Sequence, residues 1–221
     1  MDGTMNSERL NTLPLILQKY VSTLPDEYQT IPEERQQQLS KLSQYIRGRQ
    51  LETSPTQVTV ICTHNSRRSH LGQIWLQLAA YCYDVPHFQS FSGGTEATAF
   101  HPNAVVALQR AGVSIQKSSP STTSSNPIYQ VQFVPEISSS FDVFSKVYHT
   151  APNPSSQFAA VMVCDSADEA CPVVPGADAR FSLPFDDPKA FDNTSLQAAK
   201  YDERTRQIAR EFFFVIHKAC L

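Results

Sequence analysis

The segment that decides the fold runs from Gln57 to Ser69: Gln57-Val58-Thr59-Val60-Ile61-Cys62, then Thr63-His64-Asn65-Ser66-Arg67-Arg68-Ser69. Its first half is a β-branched run, the pattern of a buried strand. Beyond Ser69, apolar residues return at helical spacing as Leu71, Ile74, Trp75, Leu78 and Ala79, which predicts a helix over 69–83. The join is Cys-x5-Arg-Ser between a strand and a helix. Five intervening residues let a loop curl around a tetrahedral oxyanion, with Thr63, His64, Asn65, Ser66 and Arg67 turning backbone N–H groups inward. The following helix adds its positive end. Arg68 can clamp two anion oxygens, and Ser69 can donate to the Cys62 sulfur. That environment favours Cys62 as a thiolate nucleophile. The plainer alternative is a strand-end cysteine followed by surface arginines; strand, motif and helix together argue against it.

Outward from this segment, strands and helices alternate. Phe88–Gly94 (FQSFSGG) reads as a short strand, and 101–112 as a helix with Pro102 at its start and Gly112 past its end. Residues 158–164 and 179–185 read as two more strands, and 194–219 as a long final helix. This rhythm predicts an α/β domain over 56–221 with a four-stranded parallel sheet and flanking helices. Residues 114–157 interrupt it. A Ser/Thr/Pro-rich loop is followed by two strands, 128–137 and 141–149, joined by a serine run, so the interruption reads as an inserted β-hairpin. Its aromatic residues Tyr129, Phe133, Phe141, Phe144 and Tyr148 either wall a cleft or pack the hairpin onto the domain. Residues 1–55 read as an N-terminal helical extension of two amphipathic helices. One carries the stripe Leu13 to Leu24; the other starts at Pro32-Glu33-Glu34. They pack on the domain, or on a second subunit to give a homodimer. Glu52-Thr53-Ser54-Pro55 links them to the first strand.

Composition narrows the function. The chain has 221 residues, 41% hydrophobic and 18% charged, with a formal net charge of −3. No global positive field would gather nucleic acid, and no 18-residue apolar run would span a membrane. An N-terminus rich in polar and acidic residues is unlike a secretory signal, so a cytoplasmic location is expected. Five scattered cysteines do not suit a secreted disulfide framework. Cys82, in an apolar helical run, and Cys220, next to last, read as bystanders.

Cysteine-based anion chemistry needs a proton donor, and Phe185-Asp186-Asp187-Pro188 offers one after the fourth strand. Asp187 would serve as general acid. Taken together, the loop Cys62–Ser69, the Ser92-Gly93-Gly94-Thr95 strand end with its His101-Pro102 helix start, and the Asp187-Pro188 turn resemble the low-molecular-weight protein tyrosine phosphatase superfamily, over about three quarters of the chain. The resemblance implies a flavodoxin-like sheet of the phosphotyrosine phosphatase I type, with Cys62 as nucleophile, Arg68 as oxyanion clamp and Asp187 as acid. Two positions depart from the pattern. His64 stands where a small residue is usual. Arg67 stands where many members carry a second cysteine, and is expected to add charge near the anion.

Cys164-Asp165-Ser166-Ala167-Asp168-Glu169-Ala170-Cys171-Pro172 follows the third parallel strand, with Cys164 at its end. It resembles the redox segment of the superfamily's thioredoxin-coupled arsenate reductases. That likeness implies a disulfide cascade from Cys62 to Cys164 to Cys171, thioredoxin as reductant, and arsenate or a phosphate-like oxyanion as substrate. No cofactor and no metal are expected: a zinc site would need a second Cys/His pair at suitable local spacing, and there is none. Two alternatives stand beside it. One is phosphomonoester hydrolysis through a phosphocysteine at Cys62. The other is an oxyanion-sensing module that binds without turnover. Asn65 and His101 are expected to support the loop by hydrogen bonds.

Overall fold

The computed structural model describes residues 3–52, 54–118, 125–135 and 140–221. Thr53, most of the Ser/Thr/Pro-rich loop and most of the serine run of the hairpin lie outside the described residues. Four parallel strands form the main sheet: β1 (Thr56–Cys62), β2 (Phe88–Gly94), β6 (Phe158–Met162) and β7 (Ala177–Ser182), in the order β2-β1-β6-β7. Central β1 pairs with β2 from Thr56↔Phe88 to Cys62↔Gly94, and with β6 from Val58↔Ala159 to Ile61↔Met162. Val58, Val60 and Ile61 are wholly buried, which is why this strand carries no alternation.

Helix α4 (Arg68–Cys82) packs on β1 and β2 and against the final helix α7 (Gln197–Ala219). Gly72 permits the approach, since a Cβ there would lie 2.8 Å from Val60 and 2.9 Å from Phe212. The core gathers Trp75, Phe212, Phe213 and Tyr201, all fully buried. Helix α5 (Pro102–Arg110) also packs on α7.

The N-terminal region has more pieces than two helices. Pro14 separates α1 (Ser7–Thr12) from α2 (Leu15–Ser22), and a 3₁₀ turn at Pro25–Thr30 precedes α3 (Glu33–Leu51). These elements lie on the domain itself. Tyr20 stacks on Trp75 with ring centroids 5.2 Å apart, and Arg35 Nε meets the buried Glu211 carboxylate at 2.7 Å. The described residues contain no helix long and apolar enough to cross a membrane.

The insertion is larger than the expected hairpin. Strands β3 (Ser114–Lys117), β4 (Tyr129–Gln132) and β5 (Phe141–Val143) form a three-stranded antiparallel sheet, with Ile115 opposite Val131 and Val131 opposite Phe141. Ser114–Lys117 offers only one buried apolar side chain, Ile115, too short a pattern to read as a strand. Tyr129 and Phe133 are buried, and Tyr129 meets Phe100 edge to face at 5.5 Å, so these aromatic residues pack the small sheet onto the domain. Beyond β5 the chain returns to the main sheet. Gly94 donates to the Lys146 carbonyl and accepts from Tyr148 N–H, both at 2.9 Å. Two boundaries also shift: the fourth strand is 177–182 rather than 179–185, and the third ends at Met162, so Cys164 lies two residues beyond it.

Candidate active site

Cys62 closes β1, and the loop from Thr63 to Arg67 carries the chain into α4. The carbonyls of this loop are held on its outer side. Cys62 O accepts from Thr95 N–H at 3.2 Å, and Thr63 O from Glu96 N–H at 3.0 Å. His64 O accepts from the Thr98 hydroxyl at 2.9 Å, and Ser66 O from His101 N–H at 2.9 Å. A trans peptide sets its N–H opposite its C=O. Anchoring these four carbonyls outward therefore turns the N–H groups of Thr63, His64, Asn65 and Arg67 to the opposite side, where they can converge on an anion.

Gly94 is needed for this anchoring. A Cβ there would lie 2.6 Å from Thr63 O and 2.8 Å from Asn65 N. Asn65 takes the left-handed conformation (φ 44°), which asparagine tolerates better than most residues. It is fully buried, and its amide works in both directions. Nδ2 donates to Ser69 Oγ at 2.8 Å, and Oδ1 accepts from Lys146 N–H at 2.8 Å. Ser69 Oγ, already accepting from Asn65, lies 3.0 Å from Cys62 Sγ and has its own proton free for that sulfur.

The two loop arginines part company. Arg68 Nη1 donates to Phe185 O at 2.9 Å, and Nη2 to Asp187 Oδ2 at 2.8 Å. The other Asp187 oxygen caps the 3₁₀ turn Pro188–Phe191 by accepting from Lys189 N–H at 3.0 Å. Loop arginine and candidate acid are thus in contact. Arg67, expected to add charge near the anion, instead commits its guanidinium elsewhere: Nε donates to Tyr201 Oη at 2.6 Å and Nη2 to Asp192 Oδ2 at 2.7 Å. Tyr201 Oη donates to Asp192 Oδ1 at 2.7 Å, and Asn103 Nδ2 adds a bond at 3.2 Å. Burial alone would raise the Asp192 carboxyl, but the Tyr201 hydrogen bond and Arg67 outweigh it and hold it below its ordinary value. Burial, with Asp192 assisting, pushes the Tyr201 phenol up to about 12. His64, on the rim, faces Glu96 at 3.5 Å.

Cys164 lies beside the loop. Val163 N–H donates to Ile61 O at 2.9 Å, and the Cys164 sulfur is 3.4 Å from Thr63 Oγ1. Cys164 is buried at the N-terminal end of the short helix α6 (Asp165–Ala170), with no capping bond from its side chain; Cys171, partly exposed, stands at the other end. All five cysteines are free. Burial raises both the Cys82 and the Cys220 thiols, which suits bystanders. Among the described residues no group of three or more His, Cys, Asp and Glu side chains is placed to hold a metal. The structure thus brings Cys62, Asn65 and Ser69 together, Arg68 with Asp187, and Cys164 with Thr63. Asp192, Tyr201 and Lys146 also build the site, and none of them stands in a motif that would mark it.

No family model matches the chain. It is 24% identical to arsenate reductase 2 of Staphylococcus epidermidis over 145 residues, 66% of this chain and 88% of that one. To the arsenate reductase of Bacillus subtilis it is 25% identical over 146 residues, 66% and 84% of the two chains. Among solved structures, a low-molecular-weight phosphotyrosine phosphatase from Vibrio cholerae matches at 13% identity with a TM-score of 0.47, over 73% of this chain and 94% of that one. A thioredoxin-dependent arsenate reductase from Corynebacterium glutamicum matches at 17% identity with a TM-score of 0.37, over 87% and 92%.

Proposed function

We propose, for a chain of the low-molecular-weight protein tyrosine phosphatase superfamily that lies close to its arsenate reductase branch, the reduction of arsenate to arsenite through three thiols: Cys62, Cys164 and Cys171. The observation that carries this reading is the position of Cys164, a second free thiol whose sulfur lies 3.4 Å from the first hydroxyl of the anion loop. A hydrolase needs only water at that stage.

The Cys62 thiolate attacks arsenic, held by the loop N–H groups and Arg68. An oxygen leaves as water with a proton from Asp187. Docking of the oxyanion gives Arg68 a second partner and loosens its hold on Asp187. Cys164 then attacks the Cys62 sulfur. The S–As electron pair passes to arsenic, which leaves as arsenite, and a Cys62–Cys164 disulfide remains. Cys171 attacks Cys164 and releases the Cys62 thiolate. A dithiol protein of the thioredoxin type reduces Cys164–Cys171 and takes the disulfide itself, which requires a reducing compartment such as the cytoplasm. Asn65 and Ser69 orient the Cys62 sulfur throughout.

The test compares the wild type with Cys164→Ser, following thioredoxin-linked NADPH oxidation with arsenate and, in parallel, p-nitrophenyl phosphate hydrolysis. Arsenate turnover in the wild type, abolished by the substitution while ester hydrolysis persists, is the expected result. Brisk ester hydrolysis indifferent to Cys164, with no arsenate turnover, would make the protein a phosphatase.

A further inference from the structure

The two thiols that must finally join are held apart by α6. Cys171 stands seven positions past Cys164, so a helical path sets their Cα atoms about 10 Å apart, whereas a disulfide needs roughly 4.4–6.8 Å. Asp168 N–H to Cys164 O and Cys171 N–H to Ala167 O, each 3.0 Å, must therefore give way. A helix of six residues has little stability of its own, so whatever holds it from outside decides how readily it opens.

That hold comes from β7. Arg180 Nε donates to Cys171 O at 2.9 Å, and Nη2 donates to Asp168 O at 2.6 Å and to its carboxylate at 2.5 Å. Ser182 Oγ donates to the other Asp168 oxygen at 2.7 Å. Arg180 and Ser182 are paired to Ala160 and Met162 of β6, so both grips are anchored in the main sheet. One guanidinium thus holds the middle of the segment and its Cys171 end together.

We propose that Arg180 is a positioning residue for the thiol relay: it latches the Cys164–Cys171 segment in its helical dithiol form, and the latch opens as the Cys164–Cys171 bond forms. This rests on the relay reading above. Because the latch favours the dithiol, it makes the pair easier to reduce, as any contact made only by the reduced form must. The bond formed is Sγ–Sγ between Cys171 and Cys164; the bond broken is Cys164–Cys62, whose electron pair leaves on the Cys62 thiolate.

The experiment equilibrates the full chain, in a Cys62→Ser background, with glutathione buffers and quantifies the Cys164–Cys171 disulfide by peptide mass mapping. Arg180→Gln should move the equilibrium at least tenfold toward the disulfide, about 30 mV lower in potential. Arg180→Lys should fall between, and Ser182→Ala should move it the same way by less. Arg206→Gln, which breaks a comparable ion pair with Glu27 far from α6, should leave it unchanged. If Arg180→Gln does not fold, Ser182→Ala decides. An equilibrium equal to the wild type in both Arg180→Gln and Ser182→Ala overturns the latch and leaves the relay standing. An equal shift in Arg206→Gln overturns it too, by assigning the effect to general destabilisation. Absence of the disulfide in every variant overturns the relay, and the latch falls with it.

Discussion

Arg67 and Asp192, 125 residues apart, meet as Nη2 and Oδ2 at 2.7 Å, with Arg68 and Asp187 meeting alongside at 2.8 Å. Two neighbouring loop arginines therefore grip both ends of the segment that carries the candidate acid. Arg67 and Asp192 expose only 11% and 20% of their side chains, so the pair is shielded enough to matter. Arg67→Met should cost about 2 kcal/mol of stability, as expected for lost charged hydrogen bonds in such a setting. It should also weaken phosphate binding by freeing the loop from the 187–192 segment. Urea unfolding and phosphate titration calorimetry check both effects.

Gly94 has no room for a side chain, its Cβ position being 2.2 Å from Glu96 O as well as close to Thr63 and Asn65. All three neighbours are backbone atoms and cannot swing aside. Gly94→Ala should therefore destabilise the protein by about 1–3 kcal/mol and lower oxyanion affinity, because the displaced carbonyls aim the loop. A thermal melt and a phosphate titration of the same variant should move together. A fall in stability with unchanged affinity would detach the strand end from the loop.

Asn65→Ala removes both the bond to Ser69 and the acceptor for Lys146 N–H, and leaves alanine at φ 44°. Oxyanion affinity should drop at least tenfold, and the rate of Cys62 alkylation by iodoacetamide at a fixed pH should change, since Ser69 loses the partner that directs its proton. Unchanged binding would remove Asn65 from the site.

What the sequence disclosed and what it hid follow from range. The β1–loop–α4 unit is legible because strand, loop and helix start are contiguous, and each of Cys62, Arg68 and Ser69 carries its meaning in its spacing. Arg67 is the counterexample. Its charge is visible, but its partners Asp192 and Tyr201 lie far along the chain in a turn and a helix with no motif of their own. Lys146 is equally silent, because its contribution to Asn65 is a backbone N–H that any residue but proline supplies. Strand β3 was hidden for a different reason: four residues with one buried side chain form no alternation, and only pairing with β4 makes them a strand.

Val173 is 75% exposed two residues past Cys171, in the irregular segment Cys171-Pro172-Val173-Val174. An exposed apolar side chain beside a partly exposed thiol suits docking by a protein reductant. On the relay proposed above, Val173→Asp should slow thioredoxin-supported turnover severalfold, yet leave reduction of the Cys164–Cys171 disulfide by dithiothreitol unchanged. Equal slowing with both reductants would point to a disturbed α6 instead.

The last prediction concerns pH. His70 is fully buried, bonded through Nδ1 to Ser92 Oγ at 3.0 Å and packed on Phe100 at 4.2 Å. Burial, and then the charge of Lys146, push its pKa well below the ordinary 6.5. His101 is lowered in the same sense by burial and then by Arg67, with Asp192 and Asp187 opposing. A histidine depressed in the folded state contributes stability that is complete above its unfolded pKa. That contribution is lost as pH falls through 6.5 toward the folded value, because the unfolded chain takes up the proton first. Stability should thus decline below about pH 6.5, by up to about 1.4 kcal/mol per pH unit for the fully buried His70 and by less for the part-exposed His101, which solvent screens. The Asp192 carboxyl, held below its ordinary 3.8, adds a further loss only as pH falls through the acid range below that value. Urea midpoints at pH 7.5, 6.5, 5.5 and 4.5 measure the curve. His70→Gln, which keeps a polar group for Ser92 and removes the titration, should flatten it between pH 6.5 and 4.5. A wild-type profile already flat across that window would mean that His70 is protonated in the folded protein and that its buried site accommodates the charge.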